Sequence, residues 1–273
     1  MNNREQRSAL AQETVRIARE GKYIADGVLV DISQDVSYAN THSVFISQKE
    51  SDSREKSFAR KTGMMMLEFS NESTLSAIFY LQNPEDKPLG VLNFASAKNP
   101  GGGFLSGAMA QEESLAAVSN LYDTLLQCPE YYEINKAHQS FCYTDCAIWS
   151  PDVVFFRDEA GRFLRHPAKA SVLTLPAVNY GQVLSKGEDA RLAKVAMKRR
   201  MKIALATFAD KGCKAVILGA YGCGVFRNDP EDVAAWWDEL LMDFGGHFKK
   251  VFLAVLDHSP TRETFTAFAR RWS

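Results

Sequence analysis

Two glycine-rich loops and one Gln-Glu-Glu triplet hold the residues of this 273-residue chain that could do chemistry. The first loop runs Asn99-Pro-Gly-Gly-Gly-Phe-Leu-Ser-Gly107-Ala-Met-Ala and ends on Gln111, Glu112 and Glu113. Three successive glycines, Gly101, Gly102 and Gly103, let a backbone approach a ligand closely and take up positive φ. Exposed N–H groups in such a loop suit an anion or a polar sugar. The plain alternative is a flexible linker. Acidic residues opening a helix are favoured by the helix dipole alone and need no function. Beside a triple-glycine loop, paired carboxyls have a second use. One can hold a sugar's hydroxyls while the other protonates a leaving oxygen or guides water. Consecutive helical residues point about 100° apart, so the two acids are expected to take different roles.

The second loop is Gly219-Ala-Tyr-Gly222-Cys-Gly224-Val-Phe226-Arg-Asn228. A helix should start just after it, with Asp229 as cap and Pro230 at the first helical position. The order G-x-x-G-x-G is not the dinucleotide fingerprint, and no G-x-x-x-x-G-K-[ST] occurs. Hydride transfer and P-loop chemistry are therefore disfavoured. A strand, a glycine loop and a helix still make a good diphosphate cradle. Phe226 at its edge either stacks on a ribose or base or packs into the core. Together the two loops imply a ligand with a diphosphate and a sugar near two carboxyls, which describes ADP-ribose or something close to it.

These loops need a rigid frame. Residues 5–20 carry a narrow apolar stripe, Leu10, Ala11, Val15 and Ala18, and read as a helix. Short strand-like pieces follow at Gly27–Ile32 and Ser43–Ile46, then a charged surface segment at 49–61. Met64–Phe69 reads as a strand, with a helix from the cap residues Asn71 and Ser73 through Leu81. Pro88–Ala95, Val153–Arg157, Ser171–Val178, Val216–Leu218 and Val251–Leu256 complete the strands. Helices are expected near 111–127, 186–210 and 230–243. Leu115, Val118, Tyr122 and Leu125 mark the apolar face of the first of these. Continuous apolar strands alternating with helices predict a mainly parallel sheet covered on both faces.

Composition excludes much. The chain is 46% hydrophobic and 24% charged with a net charge of −1, so no overall basic field favours nucleic acid or an anionic membrane. No apolar run approaches the roughly 20 residues that span a bilayer, and the charged beginning lacks a signal-peptide core. A cytoplasmic protein is expected. Five cysteines are too few for a disulfide framework. His138, Cys142 and Cys146 have a spacing worth testing for zinc, but no fourth ligand lies near. Neither a metal nor a cofactor is expected. The helix with Lys194, Lys198, Arg199, Arg200 and Lys202 reads as a solvated face, or else as a polyanion patch.

The run from Leu92 to Leu115 resembles the signature of the microbial-type poly(ADP-ribose) glycohydrolases, a triple glycine followed after six to eight residues by Gln-Glu-Glu. Here the gap is seven, Phe104 to Ala110. Asn120-Leu-Tyr122, Ser150 to Arg157 and Gly219 to Pro230 agree with it. The resemblance covers roughly residues 60–257. It implies a macrodomain, a three-layer α/β/α sandwich with a mixed central sheet, over residues 61–273, with residues 1–60 as a helical N-terminal extension packed on it. It also implies hydrolysis of the bond at the ribose C1″. Glu113, its pKa raised, would be general acid and then base, and Glu112 would hold the ribose hydroxyls. Gly101, Gly102 and Gly103 would pack against the distal ribose and diphosphate. Gly222, Gly224 and Val225 would donate to the diphosphate, and Phe226 would stack near the ribose. Asn99 and Gln111 complete the expected binding set. The adenine contact is expected among Asn71, Glu72 and Ser73. The implied partner is ADP-ribose polymer or an ADP-ribosylated macromolecule, with no sequence-specific nucleic-acid binding and no membrane. Two other readings stay open: a hydrolase of mono-ADP-ribose on a protein or nucleobase, and a macrodomain that binds ADP-ribose without cleaving it.

Overall fold

Side chains alternate along the central strands between two apolar layers, so the sheet is covered on both faces. The structure, a computed structural model, describes residues 3–272. Helix α1 (Arg4–Glu20) begins at Asn3, whose side chain accepts from the Glu5 N–H, and stops at Gly21. A hairpin of β1 (Lys22–Ala25) and β2 (Val28–Asp31) follows. Next come α2 (Ser33–Thr41), β3 (Val44–Ile46), α3 (Gln48–Ser57), β4 (Met66–Ser70), α4 (Thr74–Tyr80) and β5 (Leu89–Ala95). Then α5 (Gln111–Ala116), α6 (Leu121–Leu125) and α7 (Pro129–Ala137) lead into β6 (Ala147–Arg157) and β7 (Phe163–Pro176). The chain finishes with α8 (Tyr180–Ser185), α9 (Ala190–Asp210), β8 (Ala215–Gly219), α10 (Pro230–Phe244), β9 (Lys250–Ala254) and α11 (Glu263–Trp272).

The main sheet has seven strands in the order β3-β6-β7-β5-β8-β9-β4. β7, β5, β8, β9 and β4 run parallel, while β6 and β3 add an antiparallel flank. Leu92, Leu173, Leu175, Val216, Leu218, Val251 and Leu253 face one layer, built on α9, α10 and α11 with Met197, Met201, Trp237 and Phe268. Their strand neighbours Val91, Val172, Ile217 and Phe252 face the other, built on α4 to α7 with Ile78, Leu121, Leu125 and Tyr131. This is the expected α/β/α sandwich with a mixed sheet. The carboxyl ends of all five parallel strands open on one edge, where open α/β sheets place their ligands.

The structure departs from several expectations. The 111–127 helix is broken between α5 and α6, because residues 117–120 bond to β6 instead. The Val118 carbonyl accepts from the Phe156 N–H at 3.0 Å, and Asn120 Oδ1 accepts from the Val154 N–H at 2.8 Å. Val118 and Leu125 stay on the main layer, while Tyr122 turns to a separate cluster under α1 with Ala11 and Phe104. The 186–210 helix starts only at Ala190, after the left-handed Gly187, with Asp189 as its cap. The charged 49–61 stretch is largely helix α3, opened by a capping box between Ser47 and Glu50. Helices α2, α7, α8 and α11 and strand β1 were not anticipated.

Helix α9 keeps a partly solvated basic face, but not a free anion patch. Each basic residue named on it has an acidic partner: Lys194 meets Asp232, Lys198 meets Glu239, Arg199 meets Asp52, Arg200 meets Asp145 and Lys202 meets Glu55. Arg200 is only 1% exposed. It donates to Asp145 Oδ1 at 2.9 Å, to the Cys142 carbonyl at 2.8 Å and to the Pro176 carbonyl at 2.9 Å. One guanidinium thus ties the 142–145 turn to the end of β7. Five cysteines are unpaired, and among the described residues no three His, Cys, Asp or Glu side chains are grouped to hold a metal. Breaking a buried ion pair leaves an uncompensated charge, so Arg200→Met is expected to cost about 3–5 kcal/mol of folding stability. Urea unfolding beside the parent protein measures this, and an unchanged midpoint would refute the tie.

Candidate active site

The last residues of β5 and the first turn of α5 face each other across the first glycine loop, and the two carboxyls lie between them. Glu112 is 2% exposed. Its Oε2 accepts from the Ser96 N–H at 2.7 Å and its Oε1 from the Asn93 amide at 3.3 Å. Burial raises its pKa to about 8. The Ser96 N–H and the Asn93 amide oppose that shift, the charge of Glu113 adds to it, and the Gly101 N–H opposes it. A raised pKa was expected at Glu113; the structure raises that of Glu112. Asn93 Oδ1 is buried beside this carboxyl with no partner.

Glu113 leaves the helix at a different angle, as consecutive helical positions require. It is partly exposed, and its Oε1 accepts from the Gly103 N–H at 3.0 Å. Both carboxyls converge over Gly102. A Cβ added there would lie 2.3 Å from Glu113 Oε1 and 3.2 Å from Glu112 Oε2, and Gly102 has φ +60°. Space and backbone both demand glycine at this point.

Gln111 is placed differently from expectation. Its Oε1 accepts from the Phe94 N–H at 2.8 Å, and its Nε2 donates to the Leu92 carbonyl and to Thr74 Oγ1. The amide therefore fastens α5 to β5 and α4. Asn99 is exposed at the rim, its carbonyl accepting from the Gly102 N–H.

The second loop leaves β8 beside the first. Asn228 holds it from below, donating to the carbonyls of Val178 and Gly222 at 2.8 and 3.0 Å. Trp237 fixes its start through a 2.9 Å bond to the Gly219 carbonyl. The N–H groups of Gly222, Gly224, Val225 and Phe226 have no partner among the described residues. Such a row of free donors is what a diphosphate needs. Phe226 is partly buried, its ring centroid 6.1 Å from that of Tyr143. A Cβ at Gly224 would meet nothing within 4 Å, and no positive φ constrains that residue. The backbone reason for glycine there falls away, and open space remains.

A cleft of about 470 Å³ lies farther along the same edge, between the ends of β4 and β9. Asn71 and Asp257 line it with His258, Ser259 and Arg262. Asn71 pairs with the Asp257 backbone in both directions, at 2.9 and 3.3 Å. Ser73 caps α4, and Glu72 accepts from Ser70.

Sequence reading missed two sets of residues. Asn93 and Ser96 bind the buried carboxyl, and a lone Asn inside the apolar run Leu89–Ala95 was a signal for the first. The other set is on α1. Arg4 Nε, Arg7 Nε and Ser8 Oγ donate to the carbonyls of Ser106, Gly107 and Leu105 at 2.8, 2.8 and 2.6 Å. No local pattern links residues a hundred positions apart.

A family model described as the microbial-type PARG catalytic domain matches residues 11–158. The match begins well before residue 61, inside the expected extension. The poly(ADP-ribose) glycohydrolase of Thermomonospora curvata, solved with the inhibitor ADP-HPD, is 37% identical with a TM-score of 0.92, over 98% of this chain and 100% of that one. The poly(ADP-ribose) glycohydrolase of Deinococcus radiodurans, solved with ADP-ribose, is 38% identical with a TM-score of 0.83, over 89% of this chain and 98% of that one. No curated protein matches the sequence.

Two measurements follow from the geometry. Folding raises the pKa of Glu112 from 4.5 to about 8, so the folded protein holds a proton that the unfolded chain releases. The stability this contributes is full below about pH 4.5 and is lost as pH rises to about 8, by roughly 1.4 kcal/mol per pH unit. Melting curves of ligand-free protein across that window should slope downward, and Glu112→Gln should flatten them. Equal slopes would contradict the buried carboxyl. For the second loop, Gly224→Val should weaken ADP-ribose binding at least tenfold, about 1.4 kcal/mol, with little change in the melting temperature of the empty protein. Unchanged affinity by calorimetric titration would remove this loop from the site.

Proposed function

The chain belongs to the microbial-type poly(ADP-ribose) glycohydrolases, and on that premise we propose how its residues cut the O-glycosidic bond between the riboses of poly(ADP-ribose). The observation that carries the assignment is the pair of carboxyls over Gly102, one buried and one open to the loop. The terminal ADP-ribose unit lies along the sheet edge. Its adenine sits in the cleft beside Asn71 and Asp257. Its diphosphate accepts from the N–H groups of Gly222, Gly224, Val225 and Phe226. Its distal ribose rests on Gly101, Gly102 and Gly103, with Phe226 and Asn99 at its sides. Gln111 acts one step back, holding the helix that carries the acids.

Glu112, neutral below about pH 8, bonds the ribose hydroxyls. The complex that reacts is the one in which Glu113 also carries a proton. Glu113 delivers that proton to the leaving oxygen as the C1″–O bond breaks. An oxocarbenium-like ribose forms, its positive charge facing the diphosphate. A water then adds to C1″ and gives its proton to the Glu113 carboxylate, which restores the starting state. The products are ADP-ribose and a polymer one unit shorter with a free hydroxyl.

In this reading residues 61–273 carry the chemistry, and residues 1–60 brace it through α1 and lend β3 to the sheet. The protein works in the cytosol, where thiols such as its five unpaired cysteines stay reduced.

Glu113→Gln keeps an oxygen for the Gly103 N–H and cannot deliver a proton. Release of ADP-ribose from polymer should fall at least 10²–10⁴-fold, while ADP-ribose affinity stays within a few fold. Near-parental turnover would end the assignment of Glu113. Parallel assay on mono-ADP-ribosylated protein reads the preference between the two substrates.

A further inference from the structure

The reading above places the departing unit of polymer on the Glu113 side of the scissile bond, because that carboxyl must reach the leaving oxygen. The residues bounding that side are those between Gly103 and Ala110. A Cβ at Gly103 would meet Ala108 Cβ at 2.9 Å, Ser106 Oγ at 3.6 Å and Glu113 Oε1 at 3.9 Å. The next layer outward is α1. Arg4 packs on Gly107, where an added Cβ would meet its carbonyl and its Cγ, and its Nε is fixed on the Ser106 carbonyl at 2.8 Å. Arg4 is exposed, and no carboxylate pairs with it among the described residues. Its two terminal nitrogens have no partner among the described residues, in contrast to the basic residues of α9. The chain therefore holds an oriented guanidinium, without a carboxylate partner among the described residues, on the same turn whose Gly103 N–H bonds Glu113. Two large apolar side chains border the same segment, Met109 at 73% exposed and Leu105 at 40%.

The leaving group matches this surface. In a polymer the departing oxygen belongs to the ribose of an adenosine. That ribose carries an adenine on one carbon and a diphosphate on another, so an anion and a flat apolar ring both lie within one sugar's width of the cut. A guanidinium is suited to a phosphate, and Met109 with Leu105 offers an adaptable apolar platform for a base. We propose that Arg4, Leu105 and Met109 form an acceptor subsite for the penultimate ADP-ribose unit, with Arg4 on its diphosphate. This rests on the glycohydrolase reading and deepens it. Free ADP-ribose fills the inner site alone, whereas a polymer end fills both, so the subsite favours polymer over single ADP-ribose groups whose leaving side lacks a diphosphate.

Defined ADP-ribose trimer and ADP-ribose monomer, titrated into the full-length Glu113→Gln protein, test it without turnover. The trimer should bind about tenfold more tightly than the monomer at low salt, and that advantage should shrink as salt rises. Adding Arg4→Glu should remove most of the advantage. Arg4→Lys, which keeps the charge, should retain most of it, and Met109→Ser should weaken the trimer alone. A merely structural Arg4 would weaken trimer and monomer together when reversed in charge. That result, or equal affinity for trimer and monomer with Arg4 in place, overturns the subsite. Polymer turnover by the unsubstituted protein is assayed separately, and its absence would strike the glycohydrolase reading instead.

Discussion

A carboxyl group buried at the end of a strand is costly unless something meets it, and that constraint shapes this molecule. Glu112 sits in the protein with a backbone N–H and an amide as partners. Supplying them requires β5 to end where Ser96 can turn its N–H inward. It also requires Asn93 in the middle of an otherwise apolar strand. Gln111 must lock the helix to the strand through the Leu92 carbonyl, and the facing loop must have no side chain at Gly102. Each of these is a local oddity that the one buried acid explains.

How legible this was in the chain depended on range. The glycines, the acids and the alternating apolar strands are local patterns, and they led to the sheet, its layers and the two loops. The parallel flank and the ligand edge follow from them, since crossovers through helices leave strand ends together. The break after α5 was not legible, because the apolar period runs straight across it. The bonds from Val118 and Asn120 to β6 overrode that period, and those strand residues lie more than thirty positions away. The hairpin of β1 and β2 and the helix α3 carried weak apolar signals. The burial of Glu112 rather than Glu113 could not be read from adjacent identical residues without knowing which way the helix is turned.

The two ends of the site are supported by different physics. The first loop is held by hydrogen bonds to its own carbonyls and to the acid it serves. The second is held by apolar packing and by Asn228 and Trp237, while the N–H groups of Gly222, Gly224, Val225 and Phe226 have no partner among the described residues. Further out, Arg200 holds the Cys142 and Pro176 carbonyls behind that second loop, and α9 pairs its charges with α3 and α10. Charge on this protein is mostly spent internally. A net charge of −1 therefore says little about its surface, and the local exceptions matter more than the sum.

The clasp between α1 and the 105–107 carbonyls joins that helix to the first glycine loop. A ribosome delivers α1 early, yet the clasp cannot close until the loop has emerged about a hundred residues later. Such long-range closure is slow relative to local helix formation. Until then the glycine loop has neither its outer wall nor its final shape, so hydrolytic competence arrives late in folding. The same geometry bears on handling the protein. Trimming into α1 would remove the outer wall of the first glycine loop while leaving both carboxyls in the sequence.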